Sequence, residues 1–169
     1  MKGEKYHLVE LSMGWMVLLA GEHGLKRASL KPSPQEALED LGEDLNDADD
    51  DPDAFSQVGV CLRRYAGGDM TALDQIELDF ASVTPFFNAA WNACRSIPPG
   101  QTRSYAWLAA EAGSPLAMRA AGQAMARNRF SLIIPCHRVI ASDGGLGGYG
   151  GGGLGVKARL LQMELGKLQ

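Results

Sequence analysis

The residues best placed to do chemistry in this 169-residue chain are a cysteine and the histidine after it, Cys136-His137. A thiol reacts as its thiolate, so it needs a base or positive charge nearby. Histidine supplies such a base near neutral pH. Neighbouring side chains on an extended chain point to opposite faces, so adjacency alone gives no direct Cys–His hydrogen bond. A turn or a bridging water is needed. The apolar run from Phe130 to Ile134 reads as a strand that ends at Pro135 and delivers the cysteine to the end of a rigid element. Cys61 and Cys94 read as small buried hydrophobes. No CxxC pair is present, and His7 and His23 have no cysteine partners at zinc spacing, so neither a disulfide framework nor a metal site is expected.

The elements around this cysteine follow from punctuation and periodicity. Ser104 can cap a short helix running to about Ala112, and Gly113 ends it. Ser114-Pro115 is a second start signal, for a helix running to about Ala126. Two short helices so close together suit a helix-turn-helix. The second is built from Ala117, Ala120, Ala121, Gly122 and Ala124, with Arg119 among them. Glycine inside a helix costs about 1 kcal/mol relative to alanine. Gly122 therefore calls for a reason: close packing on a neighbouring helix, or a smooth face for a nucleic-acid backbone. Upstream, Thr84-Pro85 announces a helix burying Phe86, Phe87, Ala90, Trp91 and Cys94, which Pro98-Pro99-Gly100 ends.

The first half reads differently. Tyr6 to Glu10, Trp15 to Ala20 and Leu25 to Leu30 are strand-like runs separated by glycines, which predicts a meander. A helix follows Pro34, and another runs from Ala54 to Tyr65. Asp47 to Asp53 holds five aspartates, but it lacks the glycine of a calcium loop and would place Val60 at the twelfth position. It reads as a solvated acidic loop. Residues 1–85 carry 7 basic and 17 acidic side chains, against 9 and 3 in residues 86–169. A polyanionic partner would thus meet only the second half. The pattern change places a domain boundary near residue 83, giving domains 1–83 and 84–169. Leu11 to Ala20 is too short to span a bilayer and lacks signal-peptide flanks, so no membrane role is expected and the protein reads as cytoplasmic, or nuclear in a eukaryote.

Six segments stand in a distinctive order: Ile97-Pro98-Pro99-Gly100, Thr102-Arg103-Ser104-Tyr105, Arg119-Ala120-Ala121-Gly122, Asn128, Ile134-Pro135-Cys136-His137-Arg138-Val139 and Gly148-Tyr149. They resemble the O6-alkylguanine-DNA alkyltransferases, also called methylated-DNA–protein-cysteine methyltransferases. The pentapeptide from Pro135 to Val139 is the most specific part; matches cover residues 84–165 closely and the first half more weakly. The resemblance implies an α+β fold. Its N-terminal domain would be a small antiparallel sheet with helices, ribonuclease H-like, acting as a scaffold. The C-terminal domain would be mostly helical, winged-helix-like, and carry the helix-turn-helix.

The resemblance also implies roles. Cys136 would accept the alkyl group once only, His137 would deprotonate it through a water, and Glu164 would orient the histidine. Tyr105 would crowd the target phosphate and donate a proton towards guanine N3. Arg119 would fill the gap left by the extruded nucleotide in the minor groove, with Ala120, Ala121, Gly122 and Arg127 also on the DNA. Met125, Asn128, Val139, Tyr149 and Gly150 would form the base pocket, Asn128 bracing its turn and the carbonyls of Cys136 and Val139 reading the guanine amino group. The partner would be duplex DNA carrying O6-alkylguanine, met by a monomer without cofactor or metal. One departure stands out: Gly150 to Gly153 makes the loop after Tyr149 one residue longer than the family's usual length. Three other readings compete. A non-catalytic lesion-recognition protein usually carries tryptophan in place of Cys136. A cysteine hydrolase needs an acyl pocket and an oxyanion hole, for which no motif is present. A plain helix-turn-helix regulator leaves the Pro-Cys-His-Arg segment unexplained.

Overall fold

The computed structural model describes residues 3–149 and 153–166. The fold is mixed α+β, with a four-stranded sheet and six helices among the described residues. The chain packs as two compact units that divide between Asp79 and Phe80.

In the first unit β1 (Glu4–Leu11), β2 (Gly14–Gly21) and β3 (Gly24–Lys31) form the expected antiparallel meander. Its hairpins close tightly because Gly14 and Gly24 adopt φ of 142° and 118°. At Gly14 a Cβ would lie 2.6 Å from the Lys31 carbonyl oxygen, so no side chain fits. Ser33 caps α1 (Pro34–Leu41), its hydroxyl accepting from the Glu36 N–H. Ala37 and Leu41 of α1 pack on Val17 and Leu19 of β2, with Tyr6, Leu8 and Trp15 closing the cluster.

The sheet is not purely antiparallel, as the sequence had suggested. β4 (Ala48–Asp50) joins the outer edge of β1 in parallel, giving the order β3-β2-β1-β4. Parallel pairing needs a crossover, and α1 supplies it. Part of the acidic stretch is therefore an edge strand rather than a loop. Three residues of Ala-Asp-Asp carry no alternation to reveal it, but Lys5 lies 3.8 Å from Asp49 and 3.9 Å from Asp51. A single-turn helix, Pro52–Phe55, leads into α2 (Ser56–Ala66), which buries Leu62 and Tyr65. Cys61 on α2 is half-exposed instead of buried.

In the second unit Thr84 caps α3 (Pro85–Arg95), accepting from the Phe87 N–H. Trp91, on its buried face, sits in an aromatic cluster with Phe80, Phe87 and Phe130 at 5.6–6.1 Å. Its indole N–H donates to the Ala124 carbonyl at 2.8 Å. Phe86 and Phe87 are only partly covered, on the flank of the cluster rather than in the core. α4 (Tyr105–Glu111) is capped by Ser104, which accepts from the Trp107 N–H. α5 (Met118–Ala126) starts later than Ser114-Pro115 suggested: Ala117 is its cap, with no side-chain bond. Ser114 instead closes a turn, its carbonyl accepting from the Ala117 N–H at 2.9 Å. β5 (Arg103–Ser104) and β6 (Val139–Ile140) pair in parallel, bringing the start of α4 beside the segment that follows Cys136. α6 (Leu154–Glu164) completes the unit.

Candidate active site

The run Phe130–Ile134 is not a strand. Leu132 takes φ of 70°, and the Ile134 N–H returns to the Phe130 carbonyl at 2.9 Å. A compact turn thus replaces the extended chain that the apolar run alone suggests, because Asn128 supplies the bonds a sheet would have given. Its side-chain oxygen accepts from the Phe130 N–H at 2.8 Å, and its amide donates to the Ile134 carbonyl at 2.9 Å. Cys136–Arg138 then forms one 3₁₀ turn. The turn separates Cys136 from His137, so the two side chains need not share a face.

Cys136 is partly exposed on the wall of a cavity of about 380 Å³. Tyr105, Gly122, Met125, Ala126, Gly147, Gly148 and Tyr149 complete the lining. A cavity of this size can take a small molecule or group. Burial pushes the Cys136 thiol up, opposed by the Asn128 side chain that reaches it and by the Lys157 ammonium. The thiol therefore rests protonated and needs a base.

Behind the cavity His137, Glu164 and Arg138 form a buried hydrogen-bonded network. Glu164 accepts from both Arg138 Nε at 3.0 Å and Arg138 Nη2 at 2.8 Å, while Arg138 Nη1 donates to the Ile97 carbonyl at 2.6 Å. Burial alone would raise the Glu164 carboxyl, but the hydrogen bonds from His137 and Arg138 and their charges lower it to about 2. Glu164 is thus a carboxylate at neutral pH and can only accept. His137 Nε2 lies 2.6 Å from its Oε1 and so must carry the proton. Burial lowers the His137 pKa, with the Arg138 and Lys157 charges acting the same way and Glu164 opposing. The ring is then neutral, leaving a lone pair on Nδ1. That atom is buried and without a hydrogen-bond partner in the protein among the described residues. The ring meets Tyr149 edge-on at 6.4 Å.

The site residues expected from sequence take different places in the structure. Cys136, Tyr105, Met125, Tyr149 and Gly122 come together around the cavity. Asn128, His137 and Glu164 stand behind it, and Val139 is fully buried with its carbonyl facing Lys157. Arg119 and Arg127 are exposed on α5 and at its end. Ala121 is fully buried on the inner face of α5 with Ala124 and Met125, so its side chain packs on the unit's core. Ala120 is half-buried. Gly122 has nothing within 4 Å of where a Cβ would stand, so it is not there for close packing on a neighbouring helix. Gly150 lies outside the described residues.

Two residues had no role assigned from sequence. Arg138 neutralises Glu164, and Lys157 is wholly buried on α6. Its ammonium donates to the carbonyls of Val139 at 2.8 Å, Gly148 at 3.2 Å and Leu146. Burial lowers its pKa, countered by the Cys136 and Cys94 thiols. The signal was present: Lys157, Leu160 and Glu164 are spaced i, i+3 and i+7 along one helix face. From the other side Tyr105 packs on Gly147, whose φ is 69° and where a Cβ would meet the phenol oxygen at 2.8 Å. The cavity wall is thus held between a lysine and a tyrosine.

The family model of the 6-O-methylguanine DNA methyltransferase DNA binding domain matches residues 85–166. A Mycobacterium tuberculosis methylated-DNA–protein-cysteine methyltransferase is 45% identical over 68% of this chain and 67% of its own length. The Methanosarcina barkeri protein of that name is 35% identical over 97% of this chain and 99% of its own. Among solved structures, the M. tuberculosis O6-methylguanine methyltransferase aligns with TM-score 0.80 at 32% identity, covering 98% of this chain and 95% of that one. The M. tuberculosis OGT in complex with DNA aligns with TM-score 0.78 at 33% identity, covering 96% and 94%. Fold and site define an α+β protein with a cysteine on the wall of a cavity lined from two short neighbouring helices. The chain belongs to the methylated-DNA–protein-cysteine methyltransferase family.

Proposed function

We propose that this protein repairs DNA directly, moving the alkyl group of O6-alkylguanine onto Cys136, once per molecule. The observation that carries the reading is the thiol on a base-sized cavity, backed by a neutral histidine whose free nitrogen is buried. His137 Nδ1 takes the thiol proton through a water, and Glu164 stabilises the resulting imidazolium. The sulfur bonds to the alkyl carbon as the carbon–O6 bond breaks, and the electron pair leaves with the guanine. Burial raises the Tyr105 pKa, as do the nearby Cys136 and Cys94 thiols, so this phenol keeps its proton and can give it to guanine N3. The product is a thioether with no hydrolytic exit, which makes the acceptor single-use.

The target base is extruded from the minor groove into the cavity. Arg119 fills the vacated position, Arg127 holds the backbone, and Ala120 and Gly122 let the strand approach α5. Met125, Tyr149 and Gly150 enclose the base. Residues 84–169 are the working domain, winged-helix-like, and residues 1–83 a ribonuclease H-like scaffold. The protein acts as a cytoplasmic monomer without cofactor or metal. No helix among the described residues is long and apolar enough to cross a membrane.

The test is intact mass after mixing the protein with a duplex holding O6-methylguanine. One methyl group per molecule, mapped to the Cys136 peptide, is the expected result, and Cys136→Ala keeps DNA binding while losing the gain. Transfer that survives Cys136→Ala sinks the proposal. Tight binding without any mass gain would point to non-catalytic lesion recognition.

A further inference from the structure

Leu116 is completely exposed, at 101% of its reference area, and Met118 is 49% exposed. They flank Ala117, the cap of α5, and directly precede Arg119. Soluble proteins expose single leucines without consequence. Here two large exposed apolar side chains lie two residues apart, in and just after the turn closed by the Ala117 N–H on the Ser114 carbonyl. Met118, Gly122 and Met125 follow each other at i, i+4 and i+7, so they share one face of α5. Gly122 and Met125 line the cavity that opens on Cys136. Met118 therefore continues the cavity's apolar face towards the start of α5, and Leu116 lies beyond it.

We propose that Leu116 and Met118 form an apolar wedge that enters the DNA minor groove beside Arg119 and unstacks the base steps flanking the target nucleotide. The inference rests on the reading of α5 as the DNA-facing helix. Proteins that kink DNA from the minor groove insert leucine or methionine between base steps, trading unstacking for apolar contact. The wedge gives this chain a grip on duplex DNA that salt does not screen.

The test pairs the parent protein with L116A/M118A, both changes lying on the surface. First, an undamaged duplex carries 2-aminopurine, whose fluorescence rises when it is unstacked. The parent raises the signal on binding, and the double variant loses at least four-fifths of that rise. A rise kept by the variant, or absent in the parent, overturns the wedge. Second, the variant's transfer from an O6-methylguanine duplex falls roughly tenfold, while its reaction with free O6-benzylguanine stays within twofold. Equal loss on both substrates overturns the proposal, because the defect then lies in the pocket. Sedimentation gives the third outcome: self-association abolished by the double change, with both DNA readouts unaltered, makes the patch a contact between copies instead. If the parent accepts no alkyl group at all, the proposed function fails while the fluorescence arm still judges the wedge.

Discussion

Glu164 is shared by His137 and Arg138, and that coupling makes the fold sensitive to acid. Its carboxyl is lowered from 4.5 to about 2, so its stabilising contribution is complete above 4.5 and is lost as pH falls towards 2. His137 is lowered from 6.5 by burial, so the unfolded chain takes up a proton first, and stability again falls as pH drops below 6.5. Both groups therefore destabilise the fold in acid. The Glu164 share is about 3 kcal/mol between neutral pH and pH 2. Urea unfolding across that range will show a shallower pH dependence for Glu164→Gln than for the parent. Parallel curves for the two proteins would rule out this role for the pair. The amide also keeps its shape while losing its charge, so transfer from free O6-benzylguanine will slow at least tenfold.

At the scale of elements, the active-site turn is held from three sides. Asn128 braces it from the end of α5, Arg138 ties it to α6 and the Ile97 carbonyl, and Lys157 links Val139 to the loop ahead of Tyr149. A buried ammonium that donates to three carbonyls is placed to hold the loop in position. Lys157→Met keeps the length and removes the donors. Its expected signature is a lower rate with free O6-benzylguanine, about tenfold, with affinity for undamaged duplex within twofold and faster amide exchange at residues 146–149. An unchanged rate would show that the loop holds its place without the lysine. Much of this was legible from spacing. Capping by Thr84 and Ser104 and the meander of the first half follow local rules, and the structure has them. The run from Phe130 to Ile134 misled because a continuous apolar stretch looks the same in a strand and in a tightly packed turn. What decides between them is the Asn128 side chain, a bond partner that hydrophobic periodicity does not register.

Across the whole molecule, charge is divided as the sequence counts it, and the exposed Arg119 and Arg127 belong to the basic half. Binding to undamaged duplex should weaken steeply with salt. With Arg127 on a DNA phosphate, as proposed, Arg127→Ala should reduce the slope of log affinity against log salt by about one. Binding isotherms from 50 to 200 mM salt read this directly, and an unaltered slope would take Arg127 off the DNA. The sequence by itself marked Cys136 and His137 as the candidate pair and gave the two short helices near them and the split of charge, because each depends on residue type or short spacing. The tertiary structure alone decided that β4 pairs in parallel, that Ala121 faces inward while Gly122 faces the cavity, and that Lys157 reaches across to three carbonyls. These last facts depend on segments distant in sequence meeting in space, where hydrogen bonds and burial are settled by the neighbour that arrives and not by the residue's own type.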